Sequence, residues 1–495
     1  MINIKINKKV KSGNGFLVLP IFREEISKYP ADYPQVVKEF FVKRVKSKEF
    51  VGKKGEIVET YLDDKNLPPR VALVGFGKKE KFNSKISRRV GGVIGKFMKQ
   101  NKVTEMSVCM PQIVAQYAEQ FIEGLRMSQF RIDKYKTCEK KKCPVYELEK
   151  LEIILDKAPK DFEKDLKKGD MISDSVHFVR DLVNGPSNII NSEFLATEAR
   201  KVAKEHDYKI AVFGDKELKE MGWGGLLAVN AGSPKEAKCV VLEYDGAKDK
   251  KEKPVVLVGK GIMFDSGGYN LKPRNHIETM HQDMAGAATV LGVFKVLKNL
   301  GIKKNVVGVI PIAENMINEK AYRPSDIITM YSGQTVEITN TDAEGRMILA
   351  DGVTYATEFD PDCIVTVATL TGAVKVGLGD RYAGVMGNDL NLRNELYVAG
   401  RQVDDLVWPL PMHRDFKKKL DSKIADMTNG DVGTAGWAGS QKGAAFIYRF
   451  VKKNKWCHLD IGGTAFCEDI PQEFETKGAT ASTLRLLVRF LENRK

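Results

Sequence analysis

The strongest constraint on this chain is a pattern that occurs twice, an apolar strand-like run that ends in charged residues and small side chains. Pro254-Val255-Val256-Leu257-Val258-Gly259 is followed by Lys260, Asp265, Gly267, Gly268 and Lys272, and then by Asp283 at the start of an Ala/Gly-rich helical stretch from Ala285 to Asn299. Val336-Glu337-Ile338-Thr339 leads into Thr341-Asp342-Ala343-Glu344-Gly345-Arg346, and Met347, Ala350, Val353 and Ala356 continue at helical spacing. A strand that ends in a loop opening a helix is where open α/β sheets place their ligands. Asp342 and Glu344 stand two residues apart, so an extended backbone would point both the same way. These residues are expected to form one site.

The surrounding segments suit an α/β protein. Gly15–Pro20, Val71–Gly75 and Val103–Met110 read as strands, and Ile86–Met98 and Ala115–Met127 as helices. A mixed-charge helical stretch from Asp161 to Leu182 follows, ending at Asn184-Gly185-Pro186. Beyond it, strands are expected at Ala211–Phe213, Cys239–Tyr244, Pro254–Gly259, Val306–Pro311, Val336–Thr339, Cys363–Thr369 and Trp456–Ile461. Helices alternate with most of them, which predicts a largely parallel sheet covered on both faces. With 495 residues the chain exceeds one ordinary domain. The expected division is a basic α/β domain over 1–160, a connecting helix over 161–184 and a catalytic domain over 185–495.

Charge and composition narrow the function. The net +14 is carried by the first third: residues 1–160 hold 34 Lys and Arg against 19 Asp and Glu, or +15, and the rest comes to −1. Such a surface could meet nucleic acid. Lys43, Lys46, Lys48, Lys53 and Lys54 lack the interleaved aromatics of a stacking platform, so a solvated lysine-rich face is the preferred reading. Seven scattered cysteines make no disulfide framework, and Cys138 with Cys143 has no second pair with which to hold a metal. The apolar runs are too short to span a membrane, and Met1-Ile2-Asn3-Ile4-Lys5 has no signal core; a cytoplasmic protein is expected.

Several chemistries can be set aside. Phe264 stands where a nucleophile elbow around Ser266 needs glycine, and no Gly-Lys-Ser/Thr phosphate loop occurs in this stretch. Gly75-Phe76-Gly77 lacks the third glycine of a dinucleotide loop, Glu80 standing there instead, and His276 and His281 are five apart, poor spacing for joint ligation. What remains is Asp265, Asp283, Asp342 and Glu344, four carboxylates that would repel strongly in one pocket unless protonated or neutralised. Two divalent cations would cancel them and could clamp attacking and leaving oxygens. Oxygen-rich ligation admits Zn, Mn, Mg or Co. Lys260 could ligate only after losing its proton, at about 4–5 kcal/mol near pH 7, while a charged Lys272 or Arg346 would hold an oxyanion or small anion.

At these residues the chain resembles the cytosol (leucyl) aminopeptidase family of two-metal peptidases. The family motif Asn-Thr-Asp-Ala-Glu-Gly-Arg is present as Asn340–Arg346. Gly259-Lys260-Gly261, Phe264–Gly268 and Leu271-Lys272-Pro273 resemble a second motif, and Asp283-Met284 with Gly286-Ala287-Ala288 a third. Ala368–Ala373, Leu459-Asp460-Ile461 with Gly463, Ile424–Met427 and Arg180–Asn184 extend the likeness over residues 180–495. The resemblance implies that Asp265 and Glu344 bridge two metals, with Lys260 and Asp283 completing one site and Asp342 the other. It further implies that Lys272 polarises the scissile carbonyl and stabilises the gem-diolate. Arg346 would hold a bicarbonate that acts as general base toward a metal-bridging water. Met280, Thr369, Gly372, Gly462 and Ala465 match the family's first side-chain pocket, and their small or apolar character suggests Leu- or Met-like N-terminal residues. The family also implies a macro-domain-like N-terminal fold and a homohexamer of two stacked trimers. Met263, Tyr269 and Trp437, the last in Gly433–Gly439, depart from the family pattern, which bears on specificity. A two-metal phosphoesterase and a nucleic-acid-binding protein using the basic domain are the competing expectations.

Overall fold

The computed structural model describes residues 2–10, 15–27, 33–137, 147–249, 251–430 and 437–494. Cys138, Cys143 and the stretch 433–436 lie outside them. The chain divides into two compact units, Met1–His177 with Asp469–Lys477, and Phe178–Glu468 with Gly478–Lys495. The division falls inside the long helix Phe162–Val183.

The first unit is built on a six-stranded sheet. Its strands are β1 (Asn3–Asn7), β2 (Phe16–Phe22), β3 (Ile57–Tyr61), β4 (Arg70–Gly77), β5 (Glu105–Cys109) and β6 (Lys150–Ile154), in the order β1-β6-β5-β2-β4-β3. All neighbours are parallel except the edge strand β3, antiparallel to β4. β2 and β4 are apolar runs buried on both faces, the composition that central parallel strands require. Helices Ser84–Gln100 and Ala118–Met127 contribute to the core on one face, and Gln35–Lys46 to the core on the other. β1, β3 and β6 were not among the expected strands. Each is short and only partly buried, so no long apolar run marks it, although Asn3–Asn7 does alternate polar and apolar residues.

The second unit carries a nine-stranded sheet. Its strands are β7 (Lys209–Phe213), β8 (Lys238–Asp245), β9 (Val255–Gly259), β10 (Gly261–Asp265), β11 (Asn305–Asn315), β14 (Cys363–Ala368), β15 (Ala383–Gly387), β16 (Val407–Pro409) and β18 (Trp456–Asp460). The order is β16-β15-β18-β14-β9-β11-β8-β7, with β10 beside β11. The centre β18-β14-β9-β11 is parallel, whereas β15, β8 and β7 run antiparallel to β18, β11 and β8. The sheet is therefore mixed, and the four strands of its parallel centre are buried throughout. Helix Ala285–Leu300 packs on β9, β11 and β14, and helix Glu344–Ala356 packs on the same three strands within the large apolar cluster. β9 lies between β11 and β14, so the chain turns to one side and then the other of it. The crevice at its carboxyl end is a topological switch point.

One expectation is corrected here. The strand before the Asn340–Arg346 motif is not part of the main sheet. Thr335–Glu337 (β13) pairs antiparallel with Ile327–Thr329 (β12) and parallel with Met427–Thr428 (β17) in a separate three-stranded sheet. Strand pattern alone reports a strand, while its partners depend on contacts far along the chain. Among the described residues, no helix is long and apolar enough to cross a membrane.

Candidate metal centre

Lys260 occupies the one-residue gap between β9 and β10, where the chain leaves the ladder. Its amide donates to the Val367 carbonyl (3.0 Å), and its own carbonyl accepts from the Ala287 amide (2.9 Å). The side chain is 2 % exposed. Its Nζ lies 2.8 Å from Asp283 Oδ2 and 2.9 Å from Glu344 Oε1, and it donates to the Thr369 carbonyl at 2.9 Å. Gly345 leaves it room: a Cβ there would stand 2.6 Å from Lys260 Nζ, so the lysine head would have to shift. Asp283 sits in the short 3-10 turn Met280–Met284, just before helix Ala285–Leu300, and its Oδ1 accepts from Thr369 Oγ1 (2.6 Å).

A second lysine serves the other pair. Lys272 Nζ is 2.8 Å from Asp265 Oδ2 and 2.6 Å from Asp342 Oδ1. The loop that brings it back contains Gly267 and Gly268, both at positive φ, and is closed by the Lys272 amide on the Ser266 carbonyl (3.0 Å). Asp265, Asp342 and Glu344 each offer a carboxylate oxygen, and these lie within 4.8 Å of one another. The route to this convergence differs from the expected one. Asp342 lies in a turn and Glu344 is the first residue of helix Glu344–Ala356, so a turn into a helix, not an extended backbone, aims both inward.

The loop bearing Asp342 is held by polar residues that sequence reasoning did not single out. The Thr341 amide donates to Asn270 Oδ1 (2.8 Å), and Thr341 Oγ1 donates to the Gly267 carbonyl (2.7 Å) and accepts from the Asn270 amide (2.8 Å). The Thr341 carbonyl accepts from Tyr322 Oη (2.7 Å) and Asn315 Nδ2 (3.0 Å). Asn429 Oδ1 accepts from the amides of Thr339 (2.9 Å) and Asn340 (3.2 Å). The only hint in the sequence is polar residues at the ends of apolar strands, which many ordinary strands share.

Electrostatics follow from burial. Asp283 is pushed up to about 8 by burial, with Glu344 and Asp265 adding to the rise against Lys260. Asp342 is pushed up to about 7 by burial and by Glu344 and Asp265, and burial with the Glu344 charge raises Asp265. Burial would raise Glu344 too, but Lys260 and Lys272 together hold it below the usual range. Burial opposes the charge on both lysines, and the surrounding carboxylates outweigh it and raise them. When ionised, the four carboxylates outnumber the two ammonium groups, and divalent ions are suited to neutralise the excess. Glu344 Oε2 is buried without a hydrogen-bond partner, so the donor set fits a metal.

Arg346, two residues on, is half-buried. Its Nη1 donates to the Asn429 carbonyl (2.8 Å), and its Nε has no hydrogen-bond partner. Asp460, pushed up to about 6 by burial, accepts from the amides of Leu370 (3.1 Å) and Gly462 (3.2 Å) at the ends of β14 and β18. Of the expected pocket residues, Met280 shares its turn with Asp283 and Thr369 bonds to Asp283. Gly372 is exposed at the start of helix Gly372–Leu378, Gly462 is half-buried beside Asp460, and Ala465 is buried. Tyr269 is half-exposed, Trp437 exposed and Met263 buried.

The catalytic-domain model of the cytosol aminopeptidase family matches residues 177–488, and that family's N-terminal-domain model matches residues 18–139. The chain belongs to the cytosol aminopeptidase family. A probable cytosol aminopeptidase from Chromobacterium violaceum is 37% identical over 99% of this chain and 94% of its own length. One from Nitrosococcus oceani is 36% identical over 98% and 96%. The solved structure of the bottromycin maturation enzyme BotP in complex with Mn superposes with a TM-score of 0.83 at 27% identity, covering 97% of this chain and 99% of that one. The protein is thus a metal-dependent aminopeptidase acting on peptides, and the phosphoesterase and nucleic-acid-binding expectations are not favoured.

Proposed function

We propose that Lys260, Asp265, Asp283, Asp342 and Glu344 hold two divalent ions, Zn or Mn before Mg or Co, in a peptidase domain over residues 185–495. The observation that carries this reading is the convergence of carboxylate oxygens of Asp265, Asp342 and Glu344 within 4.8 Å of one another, together with a buried, unpartnered Glu344 Oε2. When bound, such ions act as Lewis acids toward the scissile carbonyl and lower the pKa of water. The protein's own groups do the rest. Lys272, close to Asp265 and Asp342, is placed to donate to the carbonyl oxygen as charge develops there. Arg346, with a free buried Nε, holds an anion, which the family resemblance makes bicarbonate serving as proton acceptor. Met280, Thr369, Gly372, Gly462 and Ala465 form the pocket for a Leu- or Met-like first residue. The enzyme works in the cytoplasm as a homohexamer.

Asp342→Ala and Glu344→Ala each reduce hydrolysis of aminoacyl-anilides by at least about 10³-fold. Each also lowers the bound metal measured by elemental analysis. Full activity with full metal content in either variant sinks the ligand assignment.

A further inference from the structure

We propose that Asn315 is a positioning residue that clamps the two ligand-bearing segments of the metal centre to each other, with Tyr322 as its second support. The inference rests on the ligand reading above. Asn315 is the last residue of β11, paired with Asp265 at the end of β10, and it is fully buried. Its Nδ2 carries two hydrogens, and both are used. One goes to Asp265 Oδ1 (2.8 Å) and the other to the Thr341 carbonyl (3.0 Å), which belongs to the peptide leading into Asp342. A single amide nitrogen thus joins a carboxylate presented by the main sheet to a loop delivered by the separate three-stranded sheet. The residue is itself held firmly, because its own carbonyl accepts from the Ser266 amide (3.0 Å) and Ser266 Oγ (2.7 Å).

The choice of side chain follows from charge. Both acceptors face Asn315, so the group between them must donate twice. A carboxylate there would repel Asp265, and a lysine or arginine would add positive charge that competes with cations for the same oxygens. Only a neutral double donor orients Asp265 without taking the place of an ion. The amide's orientation is set by the same acceptors: Oδ1 is left without a hydrogen-bond partner, against the backbone of Gly268, where a Cβ would stand 3.0 Å away. Tyr322 Oη donates to the Thr341 carbonyl as well (2.7 Å), so the peptide plane before Asp342 is held by two donors. Tyr322 does not reach Asp265 in this network, which makes the two residues separable by experiment.

The test is Mn²⁺ titration of the full-length chain, following free Mn²⁺ by electron paramagnetic resonance together with the spin-coupled signal of a bound pair. Asn315→Ala weakens Mn²⁺ binding about 10–100-fold and replaces the coupled signal by that of isolated ions. In the same variant kcat falls while KM changes little, since the substrate pocket is untouched. A folded Asn315→Ala protein, judged by circular dichroism and melting, that binds two ions with wild-type affinity and the wild-type coupled signal overturns the proposal. Should Asn315→Ala not fold, the similarly sized Asn315→Leu, which also removes both donors, is titrated instead, and wild-type affinity with the wild-type coupled signal there overturns the clamp. Tyr322→Phe loosens binding about 3–10-fold through the shared carbonyl, and unchanged affinity there removes Tyr322 as a support. Wild-type protein that binds no second ion defeats the ligand reading itself, a result recognisable before any variant is made.

Discussion

Lys260 Nζ lies within 3 Å of two carboxylates, and their charges raise its proton affinity despite burial. A lysine can ligate only as the neutral amine, so the ligand reading requires that proton to leave when metal enters. On the same reading Asp283 and Asp342, raised to about 8 and about 7, would give up protons in that step. That reading predicts that metal uptake near pH 7 liberates protons and that affinity increases with pH. Calorimetry in buffers of different ionisation enthalpy measures the number released. Lys260→Met should release about one fewer than wild type. An equal count in both proteins would mean that Lys260 keeps its proton and is a counter-ion only. At this scale the motif residues were legible in the sequence, because charged side chains next to glycines at strand ends are unusual. Asn315, Tyr322, Asn270 and Asn429 were not, since a buried asparagine or tyrosine looks like any other polar residue until its acceptors are known.

Helix Glu344–Ala356 joins the candidate metal centre to the core. Its first residue is a proposed ligand, and seven residues later Asp351 is fully buried. Asp351 Oδ2 accepts from the Leu226 amide and Oδ1 from the Tyr331 amide, both at 2.9 Å. The helix is thereby tied to helix Gly224–Asn230 and to the turn between β12 and β13. Burial pushes Asp351 up to about 7 even though these amides favour its charged form. A carboxyl raised on folding adds stability that is complete below its unfolded value near 4 and fades as pH rises through the folded value. Accordingly, the unfolding free energy of wild type minus that of Asp351→Asn should fall between about pH 4 and pH 8. Denaturant titrations at several pH values measure it, and a flat or rising difference would show that Asp351 stays ionised in the fold. At neutral pH the variant, which turns one acceptor into a donor facing an amide, should lose about 1–3 kcal/mol. Most elements were legible from periodicity: β2, β4, β9, β11 and β14 are apolar runs bounded by turns. The partners of β13 were not, because strand pairing is decided by residues some ninety positions away, at Met427 and Thr428.

Separate cores in the two units should make local damage separable by measurement. In the first unit Arg88 and Glu123 form a buried ion pair between helices Ser84–Gln100 and Ala118–Met127, at 2.6 Å and with both side chains essentially unexposed. Glu123→Leu strands a buried guanidinium and should cost about 3–5 kcal/mol, most of which Arg88→Met in the same chain should restore. Hydrogen exchange resolved by segment should place the loss within the first unit, with Mn²⁺ titration of the second unchanged. Restoration failing in the double variant would mean that the site needs the charges and not only their removal as a pair. The excess positive charge of residues 1–160 also belongs to this scale. Lys43, Lys46, Lys48, Lys53 and Lys54 are exposed, as a solvated basic face requires.

Strand periodicity, the carboxylate set and an uninterrupted seven-residue family motif were enough, from the chain alone, to indicate an α/β two-metal peptidase. These are local properties, written in the order and chemistry of neighbouring residues. Only the folded molecule decided that β9 is the switch point, that the motif loop comes from a second small sheet, and that Asn315 stands between Asp265 and Thr341. Those facts depend on contacts between residues far apart in the chain, and such contacts are chosen by packing and by the pairing of buried polar groups, which no short stretch of sequence contains.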